Sequence, residues 1–441
     1  MAGRRQPLSP LPSCIMNNNM INIGELEMIK ANMLQKTKRH GSVMVLALCA
    51  VVILSVMGGA LLSLGMNSRI FATRAASQVA ARCAADAGLA KAVFEMNKKL
   101  SVTPWDGSTL PSATADVLPG TGATFSYSVT TDDAAAASTS STGSYVIESV
   151  GQFGEASRKV TGTLRLKSPF EGAISTRGNL ELKAGTLVDG YDSRDPSATD
   201  VTAPIHTTST LAGSIILNAG VVVDGTVVVG PDGDVDTVIK DLGATTGARY
   251  ACPYECEFPP VTAPQLDAKP KIIVKGAPPR TLGPGDSGKY PEIVLKGDVQ
   301  PGILEVSGGD VVLHVTGKID LGEGCEIIVN SGASLTLYVD GNIVSGNNSG
   351  FNNKNSPRDF KLFGTGAGQT FDIKAKSDIF GAVYAPNADI VMKASGNIYG
   401  SVVSQSFALK SGGNFYYDVA LAETDEAQEA VRFIVTRWQE E

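Results

Sequence analysis

Hydrophobic positions follow three different rules along this chain. From Gly41 to Met66 they are almost continuous, and the stretch holds no charged residue. At 1.5 Å per residue, about 25 helical residues span a bilayer core of roughly 30 Å. Lys36, Lys38, Arg39 and His40 stand directly before it. Residues 67–100 contain no proline, only Gly88, and alanine at positions 72, 75, 76, 80, 81, 84, 85, 87, 90 and 92. Alanine is the strongest helix former. Ile70, Phe71, Val79, Cys83, Leu89, Val93 and Met96 make a loose apolar stripe among Arg69, Arg74, Arg82, Lys91 and Lys98. One helix is therefore expected over residues 42–100, roughly 85–90 Å long. Its first half would lie in lipid and its second half outside.

The rule then changes to alternation. Thr124–Val129, Tyr145–Val150 and Lys159–Leu166 each alternate apolar and polar residues, with a low-complexity loop, 132–143, between the first two. They predict a small antiparallel β meander, within a domain of residues 101–168. From Pro169 onward short apolar runs recur every seven or eight residues, separated by Gly, Asn, Asp or Ser. Ile303–Val306, Val311–Val315, Ile319–Leu321, Glu326–Val329, Ser334–Val339 and Ile343–Val344 are the clearest series. Short strands with tight turns at this spacing stack into a right-handed parallel β-helix-like solenoid, in which each rung buries the next. A β-sandwich is the alternative, but the Asn-Gly hairpin signal is missing between strand pairs. The solenoid is expected over 169–421, with a proline-rich insertion at 250–291 lying extended along it. Residues 422–441 are expected as a C-terminal capping helix, with Ala427, Val431, Ile434 and Trp438 on one face.

Charge places these parts. Residues 1–40 hold six Lys/Arg against Glu25 and Glu27, and residues 67–100 hold six basic groups against two acidic ones. That leaves 25 basic and 40 acidic groups for 101–441. An acidic bulk argues against nucleic acid as a partner. A basic front and acidic remainder fit a single-pass topology in the cytoplasmic (inner) membrane, with residues 1–40 inside and the C-terminal part outside. Residues 1–41 read as a disordered segment and basic leader, with Met33 a candidate start in place of Met1. The apolar run is too long for a cleaved secretory signal, so the helix is retained.

Six cysteines are few. Cys252 and Cys256 bracket Pro253-Tyr254-Glu255. A local disulfide is the first reading in an exported domain, free thiols the second and a metal site the last, because no further His or Cys is near in sequence.

The basic leader, Gly41, the apolar helix and the block Ala84-Ala85-Asp86-Ala87-Gly88-Leu89-Ala90 together resemble a type IV pilin-like N-terminus. The resemblance implies cleavage by prepilin peptidase between Gly41 and Ser42. Major pilins carry a glutamate at the fifth mature position, where this chain has Leu46. That departure resembles the PilX-type minor pilins. Ala173–Leu182 with Val188–Ser193, Phe380–Ala388, Ile398–Val403 and Tyr416-Tyr417-Asp418 look like the solenoid-type domain often fused to such N-termini. The expected partners are other pilin-like subunits through the helix, prepilin peptidase, the membrane, and an extracellular glycan or surface.

Candidate catalytic chemistry is thin. Asp232-Gly233-Asp234-Val235-Asp236 alternates carboxylates as calcium loops do, but Gly243 stands where an EF-hand has glutamate. Asp189, Asp192 and Asp195 form a second acidic cluster. His40, His206 and His314 are scattered. No catalytic residue, metal or other cofactor is assigned. The expected function is structural and non-enzymatic: a minor component of a type IV pilus or a type II secretion pseudopilus, displaying the solenoid at the cell surface. The alternatives are a membrane-tethered protein whose solenoid binds glycan and a calcium-dependent polysaccharide lyase.

Overall fold

The computed structural model describes residues 42–100, 105–131, 144–195, 197–253, 256–297, 299–353, 356–374, 378–393, 396–410, 412–423 and 429–441. Gly41 and the basic leader lie outside the described residues. The chain divides into two compact units, Met1–Ala75 and Ala76–Glu441.

The first unit contributes the start of α1, a continuous helix over Ser42–Leu100 of 59 residues. Its apolar stretch is long enough to cross a membrane, and none of the most hydrophobic window is buried. Leu46, Ile53, Leu54, Leu61 and Leu62 all stand exposed. A face that is apolar all round has no reason to meet water, which is the composition of a membrane span.

In the second unit the remainder of α1 packs on an antiparallel sheet. Its strands are β1 (Ser112–Val117), β2 (Thr124–Thr131), β3 (Ser144–Phe153) and β4 (Ala156–Lys167), in the order β1-β2-β3-β4 with the C-terminal strand Arg432–Glu440 outermost beside β4. The helix buries Ala81, Ala84, Ala85, Gly88, Ala92 and Met96, a seam at helical spacing. All but Met96 are small, and the strand answers in kind. A Cβ on Gly151 would stand 2.0 Å from the Ala81 carbonyl oxygen and 2.3 Å from the Ala85 nitrogen. One on Gly88 would meet Ser149 Oγ at 2.3 Å. Ser149 itself donates to the Ala85 carbonyl at 2.7 Å. The Ala-rich block is therefore the surface that lets a strand backbone touch the helix.

The expected capping helix at 422–441 is not what forms. Residues 424–428, including Ala427, lie outside the described residues. From Arg432 to Glu440 the chain is a strand, antiparallel to β4 with Phe433 opposite Leu166 and Trp438 opposite Gly162. The run Arg-Phe-Ile-Val-Thr-Arg-Trp is rich in β-branched and aromatic residues, which favour strands. The open hydrogen-bonding edge of β4 supplies the partner, so tertiary pairing overrides a four-residue spacing that also suits a helix. Asn97 ties this strand to α1: its amide donates to the Phe433 carbonyl at 3.1 Å and accepts from the Phe433 amide at 2.7 Å.

The rest of the second unit is parallel β structure. Among the described residues, one sheet holds 22 strands and another four, and every strand pair in both is parallel. Over Ile174–Ala251 and Ile272–Ile373 a run pairs with the third run on, whereas the longer strands Ile379–Met392 and Ile398–Leu409 pair directly with each other. Ile303–Val306 pairs with Glu326–Val329, Asp310–Val315 with Ser334–Val339, and Ile319–Leu321 with Ile343–Ser345. One column of buried residues passes in register through Ile272, Ile293, Ile319, Ile343, Phe371, Ile390, Phe407, Leu180, Ile215 and Ile239. Each is at most 5% exposed. Outside the core, Phe380, Tyr399 and Tyr416 stack face to face at 4.4 and 5.0 Å.

The order of this column differs from the order of the chain. Ile398–Leu409, near the end, pairs with Ile174–Thr176 and Leu180–Leu182, near the beginning. The chain thus enters the stack in its middle, runs to one end at Arg249–Ala251, and re-enters at Ile272–Lys275. Within the proline-rich stretch, the described residues from Cys252 to Lys271 lie outside the strands, apart from one bridge between Ala268 and Lys289, and strands resume at Ile272–Lys275, Arg280–Leu282 and Gly288–Tyr290.

Replacing Gly151 with valine forces a side chain into the backbone of α1. Gly151→Val should destabilise the helix–sheet unit by about 3 kcal/mol or more. A lowered urea midpoint of the full chain in detergent micelles, followed by Trp105 and Trp438 fluorescence, is the check; an unchanged midpoint would refute the close approach.

Candidate functional site

A cleft of about 440 Å³ opens between the returning proline-rich segment and the outward-facing middle residues of the first parallel strands. Its wall includes Lys167, Ser175, His206, Val228, Tyr250, Cys252, Cys256, Phe258 and Tyr384. The ladder explains why these residues meet. Ser175, His206, Val228 and Tyr250 are register partners in successive strands. Alternation along each strand points all four away from the column of Ile174, Ile205 and Val227. Cys252 follows directly, its amide donating to the Val229 carbonyl at 2.9 Å. Cys256 is then carried by the first residues of the crossing segment.

That segment is held by partly buried polar contacts to Arg177 and Tyr384. Arg177 Nη2 donates to the Phe258 carbonyl at 2.9 Å and Nη1 to Asn387 Oδ1 at 2.6 Å, with the guanidinium 5.9 Å from the Phe258 ring centre. The Tyr384 hydroxyl donates to the Pro259 carbonyl at 2.7 Å. Val261, Tyr338, Phe363 and Tyr384 belong to one apolar cluster beneath it.

Cys252 and Cys256 carry sulfurs 3.6 Å apart, and both are free thiols. His206, Cys252 and Cys256 offer ligand atoms that all lie within 4.8 Å of one another. The His206 Nε2 atom is buried and has no hydrogen-bond partner. Burial, and secondarily the charge of Lys167, hold the imidazole down at about 4, so it is neutral at pH 7. Burial, then the neighbouring Cys252, push the Cys256 thiol up to about 11. Sequence reasoning sought a third ligand near the cysteines in the chain and found none; the third ligand lies 46 positions upstream of Cys252. The repeating run length was the only signal that could have placed it.

The acidic clusters have local employment. Asp234 caps the short helix Val235–Val238, accepting from the Asp236 amide at 3.1 Å. Asp192 pairs with Arg194 at 2.7 Å, Asp195 accepts from the Ser197 amide, and Asp189 from that of Gly190. His314 meets Asp340 at 3.0 Å. Of the expected processing site, Ser42 opens α1, and Gly41 lies outside the described residues.

A family model described as a domain of unknown function (DUF7305) matches residues 290–424. The match covers the later parallel strands and excludes His206, Cys252 and Cys256. None of the curated proteins matches the chain. Among solved structures, the crystal structure of the competence-associated pilin ComZ from Thermus thermophilus is similar over 83% of this chain and 98% of that one. The identity is 14% and the TM-score 0.25, too low to carry a statement about the fold.

Arg177 acts as a clamp, so Arg177→Ala should release the crossing segment. A charge-assisted, partly buried hydrogen-bond pair is worth about 1.5–3 kcal/mol per bond. Hydrogen exchange of residues 256–263 should accelerate while that of the Ile319 and Ile343 strands stays the same. Equal protection in both would show that the clamp is not needed.

Proposed function

We propose that this chain is a structural, non-enzymatic pilin-like protein: a minor subunit of a type IV pilus or type II secretion pseudopilus, of the PilX type. It is held in the cytoplasmic membrane by α1, processed by prepilin peptidase between Gly41 and Ser42, and assembled through the same helix with other pilin-like subunits. Its parallel strands wind as a right-handed β-solenoid on the outer side of the membrane, where it meets a surface or glycan.

The observation that carries this reading is the change of character within one uninterrupted helix. Up to Met66 the helix is uncharged, and its large side chains are exposed. From Ala81 to Met96 it presents a narrow small-residue seam to a β-sheet. A simple membrane tether needs the first half only. A subunit that leaves the bilayer and packs among similar helices needs an apolar half that is buried by lipid first and by neighbouring helices later. The solenoid reading is supported by the pairing of runs three apart over Ile174–Ala251 and Ile272–Ile373 and by the unbroken register column.

N-terminal sequencing of the membrane-extracted protein tests the reading. Ser42 is the expected first residue, and Gly41→Ala should retain the leader and migrate more slowly. A mature protein that still begins at Met1 or Met33, in cells with active prepilin peptidase, would overturn it.

A further inference from the structure

We infer that His206, Cys252 and Cys256 bind a zinc-class metal ion, a thiophilic divalent cation held by two thiolates and one neutral imidazole. The inference stands apart from the pilin reading, since it uses only the cleft.

Three observations carry it. The first is donor type. Two cysteine sulfurs and one imidazole nitrogen are the set that zinc prefers over calcium or magnesium, which take oxygen ligands. The second is spacing. Sulfurs about 2.3 Å from a tetrahedral metal stand about 3.8 Å apart, and the two sulfurs here are 3.6 Å apart. All three ligand atoms lie within 4.8 Å of one another, a separation that side-chain rotation can close around one ion. The third is an unmet requirement. His206 Nε2 is buried with no hydrogen-bond partner, although buried polar atoms are normally satisfied. A metal accepts the lone pair of that nitrogen and removes the cost.

Binding replaces the two thiol protons: the cation enters, two S–H bonds ionise, and two protons leave to solvent. Three protein ligands leave the fourth position on the side of the cleft, open to water or to a small donor molecule. The alternative fate of the two thiols is a disulfide, which would consume both sulfurs and preclude the ion.

The full chain in detergent micelles, reduced, freed of reductant without air and loaded with Zn²⁺, should retain about one zinc per chain on elemental analysis. Co²⁺ in its place should give thiolate-to-metal charge-transfer absorption. Cys252→Ser or Cys256→Ser should abolish that band, and His206→Gln should weaken zinc binding by more than about 100-fold, beyond the usual cost of an outer-shell change. Cys49→Ser and Cys325→Ser should change nothing. The cobalt spectrum is read on the unmutated chain, so a variant that fails to fold leaves the test intact. The proposal falls if the reduced wild-type chain retains no ion, if the Cys252→Ser/Cys256→Ser chain retains it, or if the cysteines are recovered as a disulfide after purification with zinc present.

Discussion

Parallel pairing between strands of distant sequence is the constraint on which most of this molecule rests. In the column from Ile272 to Ile239, each buried side chain sits on the one below and is covered by the one above. A single strand of three or four residues has no stability of its own, because its backbone groups and its apolar face both need a neighbour. Each layer therefore exists only because the adjacent layers do. The stack must also be continuous where the chain is not. Ile398–Leu409 closes onto Leu180–Leu182, so two separate stretches of sequence share one core.

That discontinuity creates the cleft. Having finished the strand Arg249–Ala251, the chain must return to the far end of the stack before Ile272 can pair. Proline suits the return, since a segment outside the ladders has no use for backbone N–H groups. The segment is anchored where it crosses strands that it does not pair with, at Arg177 and Tyr384. Cys256 lies near its start and meets Cys252 and His206 because the crossing begins there. The site is thus a by-product of chain path, positioned by the same register that builds the core.

The helix–sheet unit obeys a different rule, close approach rather than stacking. Ala81, Ala84, Ala85 and Gly88 on α1 and Gly151 on β3 remove side chains where two backbones touch. Helices normally stand about 10 Å from a neighbouring element because side chains intervene. Here dispersion contacts form directly between main chains, and the Ser149 and Asn97 side chains bond backbone groups across the gap. Alanine thus has two reasons to recur in this block, helix propensity and smallness, and only the second is visible in the packing.

Much of this was legible in the sequence. The uncharged run and its alanine-rich continuation dictated one long helix, because helical propensity and apolar length act locally. Alternation in 124–166 marked three of the antiparallel strands, and runs of three to six apolar residues marked the parallel ones. What the sequence could not decide was which strand lies beside which, since parallel pairing leaves no local trace. The C-terminal segment shows the consequence: its apolar spacing admits a helix, and only the open edge of β4 and the amide of Asn97 make Arg432–Glu440 a strand. His206 shows it again. Within the chain it is a lone histidine among threonines, and it joins two cysteines only because Ser175, His206, Val228 and Tyr250 are stacked in register.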